Sequence, residues 1–399
     1  MNSRNRILTA LEHREPDRVP VDLGGTESSG ITGVAYNRLK KHLNLSGRTQ
    51  IYDISQMICK VEWPVVESVA SDAVPLLMEP RAWKPWTLQD GSPAEIPARV
   101  GLRRMDDGEV VQFSADGRVV ARSTSSGYYL DGVSPPLADA RSTADIEAYK
   151  HFKDFDWPDY IDETYEDLNH KARELHQETD YLIVGNLWVH ILAAGQILRG
   201  FANFMMDLIA NQELAHCLME NLMNVYMERV SRYAEAVGEY VQVIEVNDDL
   251  GTQFGPQLSP DLYRKMIKPY HKKLWEYIKE KTGCYLLLHS CGSVYDFIPD
   301  FIEMGIDALN PVQVSARNMD TARLKREFGS EISFWGGGCD TQRVLPFGTP
   351  DEVEEEVKRR IDDLAPGGGF VFTQVHNIQP DVPPENIMAM YKALDKYGK

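Results

Sequence analysis

A TIM-like (β/α)8 barrel with N-terminal helices and an antiparallel β insertion is the α/β fold this sequence predicts, on three observations. Eight short apolar runs, starting near residues 19, 73, 181, 241, 285, 308, 332 and 369, have the length and character of buried parallel strands. In the second half of the chain they alternate with amphipathic helical stretches, one unit every ~25 to 45 residues. The residues able to do chemistry gather where those runs end, which is where such barrels place active sites. An open doubly wound sheet is the alternative, but no GxGxxG or P-loop pattern follows an early strand. At 399 residues the chain fits one barrel domain, 1–399, interrupted by a β subdomain at 83–130.

The elements follow in order. Ser3 to His13 has Ile7, Leu8 and Leu11 on one helical face, and REPDR leads into the strand Val19 to Leu23. GGTESSG, 24–30, reads as a flexible polar loop at that strand's far end. Ala35 to Leu43 is helical and Asp72 to Leu77 is a strand. From Trp83 to Tyr129, Asp-Gly pairs at 90–91, 107–108 and 116–117 separate short alternating stretches, the signature of hairpins. Helices are expected at Ser142–Tyr149, Glu163–Gln177 and Asn211–Val237, with the strand Tyr181–Leu187 between the last two. Then come the strand Val241–Val246, a helix capped by Ser259 and running to Lys281, and the strand Tyr285–Leu288. The remaining units are a helix Tyr295–Met304, a strand Ala308–Val312, a helix Thr321–Phe328, a strand Ile332–Trp335, a helix Pro350–Leu364, a strand Gly369–Val375 and a helix from Pro384.

Composition limits the partners. Hydrophobic residues make up 43 % of the chain, enough for a large core, and the net charge of −18 argues against nucleic acid or an anionic membrane. The longest apolar stretch, Leu182 to Leu198, carries Asn186, His190 and Gln196 and reads as core, not as a membrane span. Five cysteines form an odd, sparse set without an apolar leader, which points to a reducing cytoplasm with thiols free for metal or catalysis.

The densest chemistry is in YLLLHSCGSV, 285–294. His289 and Cys291 are two apart, so on extended backbone they leave on one side, and an imidazole with a thiolate can grip a soft divalent metal. Cys339, in FWGGGCDTQ, ends a later strand and completes a His-x-Cys and distant Cys pattern suited to zinc. Glu245, Asp248 and Asp249 end the strand before, with Glu245 an additional candidate ligand. Asp248, Asp249 and His376 are candidates to move a proton. Trp188, Asn247, Asn310, Gln313, Trp335 and Gln342 occupy other strand ends and are candidate substrate contacts. Trp188, Phe254, Trp335 and Phe372 are candidates for an aromatic pocket wall.

HSCGSV at 289–294, GIDALNPVQ at 305–313, FWGGGCDTQ at 334–342, LPFGTPDEV at 345–353 and APGGGFVFTQVHNIQPDVPPENI at 365–387 resemble the uroporphyrinogen decarboxylase superfamily, in its cobalamin-dependent methyltransferase branch. NDDLGTQ at 247–253 and REPDRVPVD at 14–22 also fit. The resemblance implies a TIM-like barrel, a zinc ion, and a methyl group passing to or from the cobalt of a corrinoid. Family decarboxylases carry an arginine-rich segment after the first strand, where this chain reads VDLGGTESSG. In the coenzyme M branch the distant cysteine lies near the last strand; here that stretch has none, and Cys339 would stand in. The expected activity is therefore demethylation of a small donor, an aromatic methyl ether in first place. A methylcorrinoid:thiol methyltransferase, a decarboxylase and a non-catalytic metal or corrinoid binder are the alternatives. No DxHxxG corrinoid motif is present, so the corrinoid would come on a partner protein; a homodimer is also expected.

Overall fold

The barrel is built from strands that neighbour one another in chain order. In the computed structural model, which describes all residues except 124–126, 156, 157 and 159, seven parallel strands form one sheet: β1 (Ala73–Leu76), β2 (Leu182–Asn186), β3 (Val243–Asn247), β4 (Tyr285–His289), β5 (Ala308–Asn310), β6 (Ser333–Trp335) and β7 (Phe370–Val371). Each pairs with the next. The eighth stave is the segment around Val21, bonded to both edges. Asp22 N–H donates to Phe372 O and Phe372 N–H to Pro20 O, both at 2.8 Å, while Asp72 N–H donates to Val21 O at 2.7 Å. Pro20 has no N–H and the amide of Val21 goes to the Asp72 carboxylate, so this stave closes the barrel without a regular ladder.

Strand periodicity sorts the side chains. Leu182, Val184, Val243, Leu287, Ala308, Trp335 and Val371 point inward and pack with Ile7 and Leu11 of the helix Ser3–Leu11. That helix closes the end of the barrel where the strands start: Arg4 N–H donates to Asp180 O, two residues before β2, and Gly369 N–H to Ala10 O. The opposite inward layer, toward the strand ends, is polar.

Asp72 ties the helix Ser3–Leu11, the stave around Val21 and β1 together. Its fully buried carboxylate accepts from Arg6 Nη1 at 2.5 Å, Arg18 Nη1 and Nη2 at 2.8 and 2.9 Å, and Val21 N at 2.9 Å.

The segment after β1 is antiparallel. Trp83–Thr87 pairs with Pro93–Pro97, and Gly101–Arg104, Val110–Phe113, Val119–Arg122 and Asp131–Gly132 form a four-stranded sheet. The Asp-Gly turns supply the left-handed conformations the hairpins need, at Gly91, Gly108 and Gly117. Residues 124–126 of this segment lie outside the described residues. Tyr129 reaches the barrel, its hydroxyl donating to Asn377 Oδ1 at 3.2 Å.

Three expected elements differ. The helix expected from Ser259 to Lys281 is two, Pro260–Met266 and Lys268–Thr282, because Pro269 lacks the amide a continuous helix needs. Tyr295–Phe297 is a 3₁₀ turn before the helix Ile298–Glu303, which has Pro299 in its first turn. The last strand shortens to Phe370–Val371, since Thr373 to His376 bends over the mouth. Among the described residues no helix is long and apolar enough to cross a membrane.

Replacing Asp72 by Ala leaves Arg6, which is almost wholly buried, with only the more exposed Asp17 as a carboxylate partner, strips the buried Val21 amide of its acceptor, and should cost about 1–3 kcal/mol in equilibrium unfolding. Lys358→Ala, which removes an exposed i,i+4 pair with Asp362, should cost under about 0.5 kcal/mol. Similar losses in the two variants would show that Asp72 is not the tie described.

Candidate active site

The strand ends enclose a cavity of about 180 Å³ lined by Glu27, Ser28, Gln56, His190, Ala193, Glu245, Asn247, Asp248, Asp249, His289 and His376. A larger hollow, about 630 Å³, lies elsewhere, beside β1 and the helix Tyr165–Glu178. Lys60 and Lys171 there are already paired with Glu79 and Glu163, and none of the candidate metal ligands borders it.

His289 is the best-determined group in the smaller cavity. Asn310, fully buried at the end of β5, donates from Nδ2 to the Trp335 carbonyl at 2.8 Å, which can only accept. The amide oxygen therefore faces the other way, toward Ser28 Oγ at 2.6 Å and His289 Nδ1 at 2.8 Å. His289 must carry its proton on Nδ1, and its Nε2 lone pair is free. That nitrogen lies 3.5 Å from Cys291 Sγ and 3.7 Å from Asp249 Oδ1. The His376 ring stands edge-on at 5.7 Å between centroids. Among the described residues one group of metal-capable side chains has its ligand atoms within 4.8 Å of one another: His289, Cys291 and His376.

The turn after β4 is held from every side. Cys291 N–H donates to Asp249 Oδ1 at 2.8 Å and Gly292 N–H to Gln313 Oε1 at 2.6 Å. Gly292 is left-handed, φ +86°, and a Cβ there would lie 2.4 Å from the Gly251 carbonyl carbon, so only glycine fits.

Burial and the Asp249 charge push the Cys291 thiol well above its usual range, and burial with the His289 charge lowers His376 to about 4. Burial, with the Asp22 charge, raises Glu245 to about 8. Glu27 is also raised well above the usual range, by burial and by the charges of Asp53 and Glu245.

Several residues expected in the site are placed otherwise. Cys339 stands apart from the metal-capable group: after the Gly336–Gly338 crossing its Sγ turns to Glu356 Oε2, 3.9 Å away on the helix Pro350–Leu364, in the main hydrophobic core. The third member of that group is His376. Glu245 borders the cavity but is outside that group, its Oε2 accepting from Asn186 at 2.9 Å. Asp248 is saturated as a helix cap: it accepts from the amides of Ile191, Leu192 and Ala193 and from His271 Nε2, at 2.6–2.9 Å. Burial would raise its pKa, but the His271 bond and charge and the Ala193 amide outweigh it and hold it low, which leaves no proton to give. Trp335 is fully buried in the barrel interior, its indole donating to Asp22 Oδ2 at 2.8 Å. Gln342 is exposed and outside the lining; Asn310 and Gln313 hold His289 and the Gly292 turn. Trp188, left-handed at φ 48°, does not line the cavity; its indole donates to Glu27 Oε1 at 2.6 Å. Asn247 and Asp249 line it directly.

Glu27, Ser28, Gln56 and Asp53 were missed. Glu27, Ser28 and Gln56 lie in loops, and Asp53 ends the three-residue strand Ile51–Asp53. The expected flexible loop 24–30 is instead a buried hydroxyl network, in which Thr26, Ser28 and Ser29 bond one another. The one available signal was Glu27 itself, an acid between small polar residues after the first stave.

Residues 125–397 match the family described as Uroporphyrinogen decarboxylase (URO-D). Methylcobamide:CoM methyltransferase MtaA of Methanosarcina barkeri is 30 % identical over 186 residues, 45 % of this chain and 49 % of that protein. Uroporphyrinogen decarboxylase of Pelodictyon phaeoclathratiforme is 24 % identical over 180 residues, 44 % of this chain and 46 % of that protein. The chain thus spans about half the length of these two relatives. The corresponding decarboxylase of Idiomarina loihiensis is 24 % identical over 308 residues, 74 % of this chain and 80 % of its own length. Among solved structures, a methyltransferase from Methanosarcina mazei superposes with a TM-score of 0.60 at 18 % identity, covering 100 % of this chain and 99 % of its own. That likeness bears on the fold, and it joins the sequence match over more than half the chain: this protein belongs to the uroporphyrinogen decarboxylase (URO-D) family.

Proposed function

We propose that this chain is a zinc-dependent methyltransferase that moves a methyl group from a small methylated donor to the cobalt of a separate corrinoid protein. The observation that carries the proposal is the convergence of His289, Cys291 and His376 beside a cavity lined largely by polar side chains. Two imidazoles and a thiolate are a donor set that zinc favours. Tetrahedral zinc bonded to nitrogen and sulfur separates those atoms by about 3.6 Å, against 3.5 Å between His289 Nε2 and Cys291 Sγ. Without a cation the buried thiol keeps its proton, and a divalent ion would displace it. When bound, zinc supplies Lewis-acid polarisation of the heteroatom that bears the methyl group.

The chain's own residues do the rest. Asn310 fixes the tautomer and direction of His289, Asp249 anchors the Cys291 amide and is half-exposed at the mouth, and the closed lower end of the barrel keeps bulk water out. Asp249 is the group placed to exchange a proton with solvent when the donor loses its methyl.

Two observations bear on the choice of substrate. No arginine or lysine lines the cavity among the described residues, which favours methyl transfer over decarboxylation of a polycarboxylate. The aromatic wall that would suit an aromatic methyl ether is absent: Trp335 and Phe372 are fully buried, Phe254 is 84 % exposed, and Trp188 is outside the lining. A small polar ether fits the cavity better than an aromatic one. The MtaA relative is named for transfer involving methylcobamide and CoM, which supports a corrinoid partner here.

Protein purified without added metal should hold one equivalent of zinc. His289→Ala, Cys291→Ser and His376→Ala should each lower retention at least about tenfold, as loss of a ligand or its support does in zinc sites, while Cys339→Ser should not. Full retention in His376→Ala, with loss in Cys339→Ser, would return the third position to the cysteine.

Incubated with cob(I)alamin and small methyl ethers, the zinc-loaded protein should give the absorption spectrum of methylcobalamin. Chelation should slow the conversion about 10³-fold, the equivalent of several kcal/mol of Lewis-acid stabilisation. Conversion that persists unchanged after chelation would remove the metal from the reaction.

A further inference from the structure

The cavity beside the metal-capable group is charged in one sense only. Among the described residues four carboxylates line it, and no lysine or arginine does. Asp248 is compensated by His271 and three amides, and Asp249 bonds the Cys291 amide and is half-exposed. Among the described residues Glu27 and Glu245 have no cation; their partners are neutral, the indole of Trp188 for the first and the side-chain amides of Asn186 and Asn247 for the second.

Glu245 is 0 % exposed, and its Oε1 has no hydrogen-bond partner; nor does Asn247 Oδ1, two residues on along the same inward face of β3. Both residues border the cavity; Asn247 Oδ1 is an acceptor, and Glu245 Oε1 is one when the carboxyl is ionised, the form a bound cation would favour. A donor is what the site lacks. Burial raises both Glu27 and Glu245, with the charges of Asp53 and Glu245 adding to the first and that of Asp22 to the second, so a bound cation would relieve both.

We propose that the small molecule taken up here carries a primary ammonium group, held by Glu245, Glu27 and Asn247, with its methyl-bearing heteroatom facing His289, Cys291 and His376. An ammonium offers three N–H donors and one positive charge, which matches two unpaired acceptors and two uncompensated carboxylates. An anionic substrate would meet four carboxylates and no basic side chain. The assignment of the methyl end rests on the proposed methyl transfer; the ammonium end is tested by binding alone.

Three probes share one methyl ether and differ in far-end charge: 2-methoxyethylammonium, 1-methoxypropane and methoxyacetate. Calorimetry on the zinc-loaded protein should show the cation binding at least about tenfold more tightly than the neutral ether, and the anion not binding, since charge-assisted bonds separate the three. Glu245→Gln should bring cation and neutral ether within about twofold, with zinc content and melting temperature unchanged; Glu27→Gln is the second variant should the first fail to fold. Equal affinity for cation and neutral ether, preference for the anion, or binding of none of the three would overturn the inference. Cation-selective binding with no methyl passing to cob(I)alamin would uphold the ammonium site and sink the methyl-transfer proposal instead.

Discussion

The polar mouth exists because parallel strands pair in register, so that their inward residues reach the strand ends on the same side. Asn186 stands beside Glu245, Asn247 beside His289 and His289 beside Asn310. Apart from Asn247, which follows Glu245, each of these comes two residues after an inward apolar residue, Val184, Val243, Leu287 or Ala308. A slip of one residue in β4 would turn His289 to the outer helices and bring Leu288 into the cavity, losing the apolar layer and the metal-capable group together. Core packing and chemistry are thus specified by the same alternation.

Above that layer, hydrogen bonds replace packing as the source of order. Asp248 caps the helix Leu192–Arg199 from a neighbouring strand end, Gln313 holds the Gly292 amide, and Ser28 shares the Asn310 oxygen with His289. Buried backbone amides must find acceptors, and in these loops side chains supply them. Acids gathered at a strand end therefore divide by geometry. Asp248 is used up in holding the scaffold, Asp249 spends one oxygen on the Cys291 amide, and Glu245 keeps one oxygen unused.

Much of this was legible in the chain before folding. The strands β1 to β6 and the helices Thr321–Phe328 and Pro350–Leu364 follow directly from apolar runs, caps and prolines. His289 and Cys291 could be paired because their spacing on a strand decides their direction. Cys339 misled because three glycines separate it from β6, and through such a turn no periodicity carries direction. His376 presented the converse difficulty. It follows a strand only two residues long, and its approach to His289 is set by bonds such as Val375 N–H to Cys339 O, between segments far apart in sequence. Glu27 was hidden for a related reason: hydroxyl residues that look solvated in sequence can satisfy one another and be buried.

The helix Ser3–Leu11, wedged among the inward residues of the strand starts, makes the barrel a blind well. Whatever enters from the mouth has to return the same way, so two reactants cannot pass through from opposite ends. A macromolecule seated on the mouth would act as a stopper, trapping the small molecule beneath it. Loading would then have to precede capping, and emptying would have to wait for the cap to lift, an order of turnover that no residue in the cavity encodes.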